Sequence, residues 1–323
     1  MPGVRFAGAV DPAGDVHGAV RDPALVFASL EQLLATGTPD FAVVAVPTDE
    51  HLAAVRTLVG LGVHVLVEKP LAASSADARE IAALCARAGV QGAVGHVERF
   101  NPALLALRDR VQAGQLGDVF LIATERVGPF PDRVHDVGVV KDLATHDLDL
   151  VRWLGGSPVA RVAAQTQHRM GRAHEDLVLV TGALQSGVSF NAVVDWLSPT
   201  KVRRTRILGE LGMLVADTLT ADLTYFENGV VGSEWSASQS MRGVSEGDMT
   251  RYALSRREPL LAELEAFVDL VQGGAGGGIV TLAEGVGVVE TAEAVLESAA
   301  SGETVALATT AAPAAAHGTG ARA

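Results

Sequence analysis

The sequence predicts an α/β fold in which a doubly wound parallel sheet precedes an α+β domain with a large, mostly antiparallel sheet. Within the first hundred residues, short and almost wholly apolar runs alternate with helical patterns. Such runs are typical of strands that are buried on both faces of a parallel sheet. After residue 117 the segments are longer and alternate between apolar and polar side chains, which indicates antiparallel strands.

Four apolar runs define the predicted parallel strands, at residues 4–10, 41–46, 63–67 and 90–94. Helices are expected between them. Ser29 and Gln32 have the spacing of a capping box, and Thr48 precedes an acidic first turn that it is expected to cap. Alternating strands and helices of this kind predict a Rossmann-like sheet.

The change of pattern predicts two domains, with bounds at 1–116 and 117–308. A predicted helix near 143–154 interrupts the strands of the second domain, and helices at 258–272 and 281–299 close it. Residues 309–323 are Ala, Thr, Gly and Pro without an apolar period, so we expect a disordered tail.

The composition excludes several kinds of partner. A formal charge of −13 repels phosphate backbones, so no nucleic-acid partner is expected, and we interpret residues 201–206 as a solvated strand face. Cys85 is the lone cysteine, which excludes a disulfide framework and a cysteine metal site. No segment is long and apolar enough for a bilayer and no signal pattern is visible. We therefore expect a cytoplasmic protein without a membrane partner.

The four predicted strand ends are candidate sites, because ligands of open parallel sheets bind beyond the carboxyl ends of the strands. Asp11 could accept hydrogen bonds from an adenosine ribose and would repel a 2′-phosphate, which favours NAD over NADP. The alternative is that Asp11 and Pro12 merely start a turn. In Glu68-Lys69-Pro70, Lys69 could accept a proton and Pro70 could be cis, or the tripeptide could be an exposed turn.

Asp142 and His146 are four residues apart, so a helix would place both on one face. There the carboxylate would orient the imidazole, and the imidazole would relay a proton. A buried structural histidine is an equally open interpretation. A metal site that adds His135 and Asp136 is rejected, because no HExxH or comparable spacing is present.

Two further segments could contact a ligand. Arg126, Arg133 and His135 flank a Gly/Pro-shaped loop, which suits a phosphate-bearing substrate, although a solvated loop explains them equally well. His96 and Arg99 follow the fourth strand and could line a cofactor, or the segment could merely cap a helix through Asn101 with Pro102 in its first turn.

Taken together, these motifs resemble the Gfo/Idh/MocA oxidoreductase family. The resemblance rests on Val10-Asp11-Pro12, Pro47-Thr48-Asp49-Glu50-His51, Glu68-Lys69-Pro70, Asp142 with His146, and the segment 257–267. It implies hydride transfer between NAD(P) and a sugar, sugar nucleotide or cyclitol. Segments 95–103 and 126–149 resemble the UDP-N-acetylglucosamine 3-dehydrogenase branch, which oxidises the sugar 3-hydroxyl with NAD.

The resemblance also implies roles for individual residues. The expected catalytic residues are Lys69, Asp142 and His146. The expected substrate contacts are Arg126, Arg133 and His146, and no metal is expected. Cofactor contacts fall on Asp11, Pro47, Thr48, His51, Glu68, Lys69, His96 and Arg99. NAD is expected rather than NADP. An open sheet face in the second domain predicts a homodimer or homotetramer.

Family members open with a strand, a glycine-rich turn and a helix before the strand that ends in the ribose-binding acid. The printed sequence begins at that later strand, so we expect the first βα unit to be missing and NAD binding to be weak or absent. Comparing NADH titrations of this chain and of an upstream-extended version tests this. The alternative function is a truncated, non-catalytic homologue that binds a sugar nucleotide or senses redox state.

Overall fold

The computed structural model describes residues 1, 3–131, 137–229 and 245–308. They form two compact units. Unit 1 comprises Met1–Phe100 and Glu258–Val286, and unit 2 comprises Asn101–Arg257 and the chain from Gly287 onward. The predicted domain boundary at 116/117 stays a prediction, and the predicted tail at 309–323 lies outside the described residues.

Unit 1 contains a four-stranded sheet in the order β14-β5-β4-β3. Its strands are β3 (Phe41–Val44), β4 (His64–Glu68), β5 (Gly92–Gly95) and β14 (Val280–Thr281). The first three are parallel, as predicted for a Rossmann-like sheet, and β14 runs antiparallel to β5. The helices are α1 (Leu30–Leu34), α2 (His51–Gly60), α3 (Ser75–Ala88) and α6 (Pro259–Val271).

The interpretation of residues 4–10 as one buried strand is wrong. Only β1 (Ala9–Val10) is a strand, and it pairs with β2 (Val26–Phe27) in a separate two-stranded parallel sheet. Gly8 interrupts the run at φ 154°, where an added Cβ would lie 2.6 Å from the Phe27 ring. Phe6 and Val10 are exposed.

The predicted helix starts have mixed outcomes. Ser29 caps α1, since its Oγ accepts from the N–H of Gln32. Asn101 caps α4 (Pro102–Gln112) through the N–H of Ala103. The prediction for Thr48 is wrong: Thr48–Glu50 is a 3-10 turn, and neither it nor α2 has a side-chain cap. Thr48 is therefore the first residue inside the turn rather than the residue before a helix.

Unit 2 contains a nine-stranded sheet in the order β13-β12-β11-β10-β6-β9-β8-β7-β15. Its strands are β6 (Val119–Pro129), β7 (Val159–Gln167), β8 (Leu177–Leu184), β9 (Ser189–Asp195), β10 (Leu197–Gly209), β11 (Gly212–Asp217), β12 (Asp222–Gly229), β13 (Ser245–Tyr252) and β15 (Val305–Ala306). Among the strands described in this sheet, β6 and β9 alone pair in parallel. The predicted mostly antiparallel sheet is confirmed, and residues 201–206 lie in β10.

Helices cover one face of this sheet. A π-helical turn (Val140–Ala144) leads into α5 (Thr145–Gly155), and α7 (Leu282–Ser301) follows β14. The unit 2 core joins α4, α5 and the later part of α7 to the sheet through residues such as Leu107, Leu148, Phe190 and Val295. Among the helices described, none is both long and apolar enough to span a bilayer.

Candidate active site

Glu68 and Lys69 lie where β4 ends. Val65, Leu66 and Val67 are fully buried, and the Lys69-Pro70 peptide is cis. The Glu68 carboxyl accepts a hydrogen bond from the Lys69 N–H. Burial raises the pKa of Glu68, an effect partly offset by that hydrogen bond and by the positive charges of Lys69 and His51. An acid and a base therefore stand side by side at the carboxyl end of a parallel strand.

His51 links the ends of two strands. Its ring is 1% exposed, with Nδ1 3.2 Å from the Leu71 carbonyl oxygen and Nε2 3.0 Å from that of Val46. With both ring nitrogens within hydrogen-bond distance of main-chain carbonyls, His51 joins the segments that follow β3 and β4.

His96 and Arg99 follow β5 and are both buried. The guanidinium of Arg99 donates to Glu284 Oε1 at 2.9 Å, and Glu284 Oε2 accepts from the N–H and hydroxyl of Thr281. Burial alone would raise the pKa of Glu284, but the charge of Arg99 and these hydrogen bonds lower it. Arg99 is thus fixed to the start of α7 within unit 1.

The remaining cofactor candidates lie nearer the surface. Asp11 is exposed after β1, and its Oδ1 accepts from the Ala13 N–H at 2.8 Å, so it does form the turn offered as the alternative. A carboxylate in such a turn still has lone pairs for ribose hydroxyls. Pro47 is exposed and Thr48 is half-buried at the end of β3.

In unit 2, Asp142 and His146 lie on two successive helical segments rather than one. Asp142 is buried in the π-helical turn, and His146 is half-buried in the first turn of α5. π-helical turns are rare and are frequent at functional sites, because they redirect side chains locally. The single α-helix predicted around 143–154 is thus lengthened at its start by this turn.

Glu175 is a site residue that the sequence reasoning missed. It is buried between β7 and β8, and its Oε1 accepts from the Val140 N–H at 3.0 Å while its carbonyl accepts from the Val139 N–H. Glu175 thereby provides hydrogen-bond acceptors for the N–H groups at the start of the π-helical turn that carries Asp142. Its position in a polar turn gave no periodic signal that could have identified it.

Gly138→Ala is expected to disrupt this support. A Cβ at Gly138 would clash with Glu175 Oε1, so the carboxyl would be displaced and the buried Val140 N–H would lose its acceptor. We expect a loss of about 1–3 kcal/mol in the free energy of unfolding, measured with urea. Gly60→Ala is the control, because nothing lies within 4 Å of its added Cβ. Equal destabilisation of both variants would contradict the assignment.

Arg126 lies in β6 with its guanidinium buried against α5. Its Nε donates to Asp147 Oδ2 at 2.7 Å, and both side chains are at most 5% exposed. This pair joins the strand to the helix that carries His146. Arg133, predicted with it as a substrate contact, lies outside the described residues, as do His135 and Asp136. The described part of the chain contains no group of three or more His, Cys, Asp or Glu that could hold a metal.

A parallel sheet with acid and base side chains at its strand ends, joined in sequence to a larger, mostly antiparallel sheet, suits a dinucleotide-dependent oxidoreductase. Two family models match the chain. Residues 7–96 match "Oxidoreductase family, NAD-binding Rossmann fold", and residues 108–307 match "Oxidoreductase family, C-terminal alpha/beta domain". The chain belongs to the Gfo/Idh/MocA oxidoreductase family.

Known proteins support this assignment. The UDP-N-acetylglucosamine 3-dehydrogenase of Acidithiobacillus ferrooxidans is 29% identical over 76% of this chain and 74% of its own. A solved structure of that enzyme has a TM-score of 0.76 at 26% identity, covering 90% of this chain and 89% of its own. A myo-inositol dehydrogenase of Streptomyces leeuwenhoekii is 32% identical over 78% of this chain and 75% of its own.

The family implies a nicotinamide cofactor, and the polar side chains at the strand ends of unit 1 fit such a cofactor. Asp11 offers an exposed carboxylate to a ribose, and Lys69 offers an amine beside a half-buried acid. These groups match the hydroxyls and the reacting end of such a cofactor in their hydrogen-bonding chemistry.

Proposed function

We propose that the chain oxidises a ring hydroxyl of a sugar with NAD. The observation that carries the proposal is the Glu68-Lys69 pair at the carboxyl end of β4, within a domain that matches the NAD-binding family model. Ligands of parallel sheets bind at this end of the strands. The position of Lys69 therefore suits a group that reacts with a bound substrate.

In the proposed reaction the ring carbon loses a hydride and its hydroxyl loses a proton, so the carbon–oxygen bond becomes a carbonyl. When bound, the nicotinamide ring supplies the hydride acceptor. In this proposal Lys69 accepts the hydroxyl proton, helped by His146 as a proton relay and by Asp142, which orients the imidazole. The burial of Asp142 and the partial exposure of His146 suit these two roles.

For the substrate we propose a UDP-N-acetylhexosamine that is oxidised at C3. Support comes from the relative named UDP-N-acetylglucosamine 3-dehydrogenase, which resembles the chain in sequence and in fold. The competing substrate is a cyclitol, as in the name of the myo-inositol dehydrogenase relative. In a panel of UDP-N-acetylglucosamine, myo-inositol and free hexoses, we expect the sugar nucleotide to give the highest kcat/KM for NADH formation.

Mass spectrometry of the product should show the loss of two hydrogens from the sugar nucleotide. If only myo-inositol is turned over, the proposed substrate is wrong and the oxidoreductase class stands. If the chain binds UDP-N-acetylglucosamine but forms no NADH with any compound of the panel, the non-catalytic alternative replaces the enzyme.

We propose NAD rather than NADP because of the carboxylate of Asp11. Asp11→Ser keeps an oxygen that can accept from the Ala13 N–H but removes the charge that would repel a 2′-phosphate. Since Asp11 is exposed, its charge is screened, and the kcat/KM ratio of NAD to NADP should fall about fivefold. Asp22→Asn, another exposed capping carboxylate of unit 1, should leave the ratio unchanged. An unchanged ratio in Asp11→Ser would remove the argument for NAD.

A homodimer or homotetramer is also proposed. The unit 2 sheet turns one face to its helices, and apolar side chains on the opposite face are exposed: Leu179, Leu208, Phe226 and Met249. An apolar sheet face of this kind is stabilised when a second copy covers it. Sedimentation equilibrium would measure the oligomeric state directly.

A further inference from the structure

Arg172 lies in the loop between β7 and β8, at the end of the unit 2 sheet where β6 and β9 terminate. Its guanidinium stands over the ring of Phe130, with Cζ 2.9 Å from the ring centroid. Phe130 follows β6 and packs edge-on against Trp196, which follows β9, with the ring centroids 5.2 Å apart. These three side chains, a cation and two aromatic rings, form the Arg172 cluster.

The loop that carries Arg172 also contacts the π-helical turn of the proposed proton relay. Glu175, which lies further along the loop, accepts from the Val140 N–H in that turn. The next residue, Asp176, accepts from the main-chain N–H of Trp196 at 2.9 Å through its carbonyl oxygen. Hydrogen bonds therefore tie the Arg172 cluster to the helical segment that bears two of the proposed catalytic side chains.

Two nitrogen donors of the Arg172 cluster lack an acceptor among the described residues. They are Arg172 Nη1 and Trp196 Nε1, and both atoms are buried. Trp196 as a whole is only 4% exposed. A buried donor without an acceptor is destabilising, and an oxygen of a bound molecule can supply the missing acceptor.

The other charged groups near this end of the sheet are already engaged. Asp176 Oδ2 accepts from two main-chain N–H groups at 2.7 Å, and Asp195 Oδ1 accepts from two more at 2.9 and 2.8 Å. Arg126, the basic residue that the sequence pattern selects, donates to Asp147. Within the described residues, Arg172 has no ion-pair partner of this kind. Its guanidinium therefore remains able to bind an anion.

We propose that Arg172 is a specificity-determining residue that binds the diphosphate of the sugar nucleotide. The inference rests on the proposed function and deepens it, because a diphosphate is what distinguishes a sugar nucleotide from an uncharged cyclitol. A chain with a formal charge of −13 repels an anionic substrate unless a local cation attracts it. The planar guanidinium presents several N–H donors to phosphate oxygens, and its contact with the Phe130 ring holds that plane in place.

The first test measures the binding of UDP by calorimetry and needs neither cofactor nor turnover. Arg172→Met removes the charge and the donors but keeps an unbranched side chain that can pack on Phe130. The Kd for UDP should rise about tenfold to a hundredfold, the effect of losing a hydrogen bond to a charged group. Arg172→Lys keeps the charge without the planar donors, so its Kd should lie between those of the wild type and Arg172→Met.

Arg169→Met is the matched control, since it removes the same charge from an exposed position of the same loop. It should bind UDP as the wild type does. An equal rise in Kd for Arg169→Met and Arg172→Met would mean that the loop acts only through its total charge. That result, or a wild-type chain that does not bind UDP, would overturn the proposal.

The cofactor also contains a diphosphate, and a competition experiment separates the two sources. ADP-ribose, which carries the diphosphate of NAD, should not displace UDP from the wild-type chain when it is added in excess. Displacement of UDP by ADP-ribose would assign Arg172 to the cofactor and would contradict the proposal.

Steady-state kinetics provides the second test. In Arg172→Met, the kcat/KM for NADH formation with UDP-N-acetylglucosamine should fall by the same factor as UDP affinity, mainly through KM. Turnover of any uncharged compound of the panel should be unchanged, and an equal loss with both kinds of substrate would refute a role in phosphate binding. If the chain forms no NADH with any compound, the proposed function fails, and the UDP titrations still decide the role of Arg172.

Discussion

Lys69→Met is expected to lower kcat by about a hundredfold to ten-thousandfold, because a methionine thioether cannot accept the hydroxyl proton. The two side chains are similar in length, and the backbone hydrogen bond from residue 69 to Glu68 is kept. KM for the sugar should therefore change much less than kcat. The comparison requires initial rates of NADH formation at saturating substrate, together with a thermal melt to show that the variant is folded.

Lys201→Met is the matched control, since Lys201 is an exposed residue of β10. It should retain wild-type turnover. If Lys69→Met were folded and equally active, Lys69 could not be the proton acceptor, and the mechanism proposed above would have to be abandoned.

Arg126→Met is expected to destabilise unit 2 by about 3–5 kcal/mol, because it removes the guanidinium from a buried ion pair with the carboxylate of Asp147. Breaking a buried ion pair from one side costs more than the loss of one neutral hydrogen bond. Urea unfolding followed by circular dichroism would measure it.

The double variant Arg126→Met/Asp147→Leu removes both charges and should recover most of the lost stability. A single variant that is stable, but whose KM for the sugar nucleotide is strongly raised, would instead support the substrate contact predicted from the sequence. A structural role thus changes the free energy of unfolding, whereas a substrate contact changes KM for the sugar nucleotide.

The positions of the parallel strands were predictable because they depend on local pattern. Val65 to Val67 are apolar and buried on both sides, and Glu68 follows where the run stops. The same reasoning failed for residues 4–10, because an apolar run cannot show that Gly8 adopts φ 154° and limits pairing to two residues. Pattern predicts which segments can be strands, whereas pairing depends on contacts distant in sequence.

The candidate site also contains residues that the local sequence could identify and residues that it could not. Lys69, Asp142 and His146 could be selected because their residue types and spacing suggest proton transfer. Glu175 could not, since its role depends on its meeting residue 140 across a turn.

Unit 1 is discontinuous, and this has a consequence for biosynthesis. Its core includes Phe267 and Ile279, and its sheet is completed by β14, so these parts leave the ribosome only after nearly the whole of unit 2. The N-terminal part of unit 1 therefore cannot complete its core until the chain past residue 281 has emerged. Until then Leu66 and Ala93 lack their contacts with Phe267 and Ile279. During that interval the growing polypeptide exposes apolar surface that chaperones recognise.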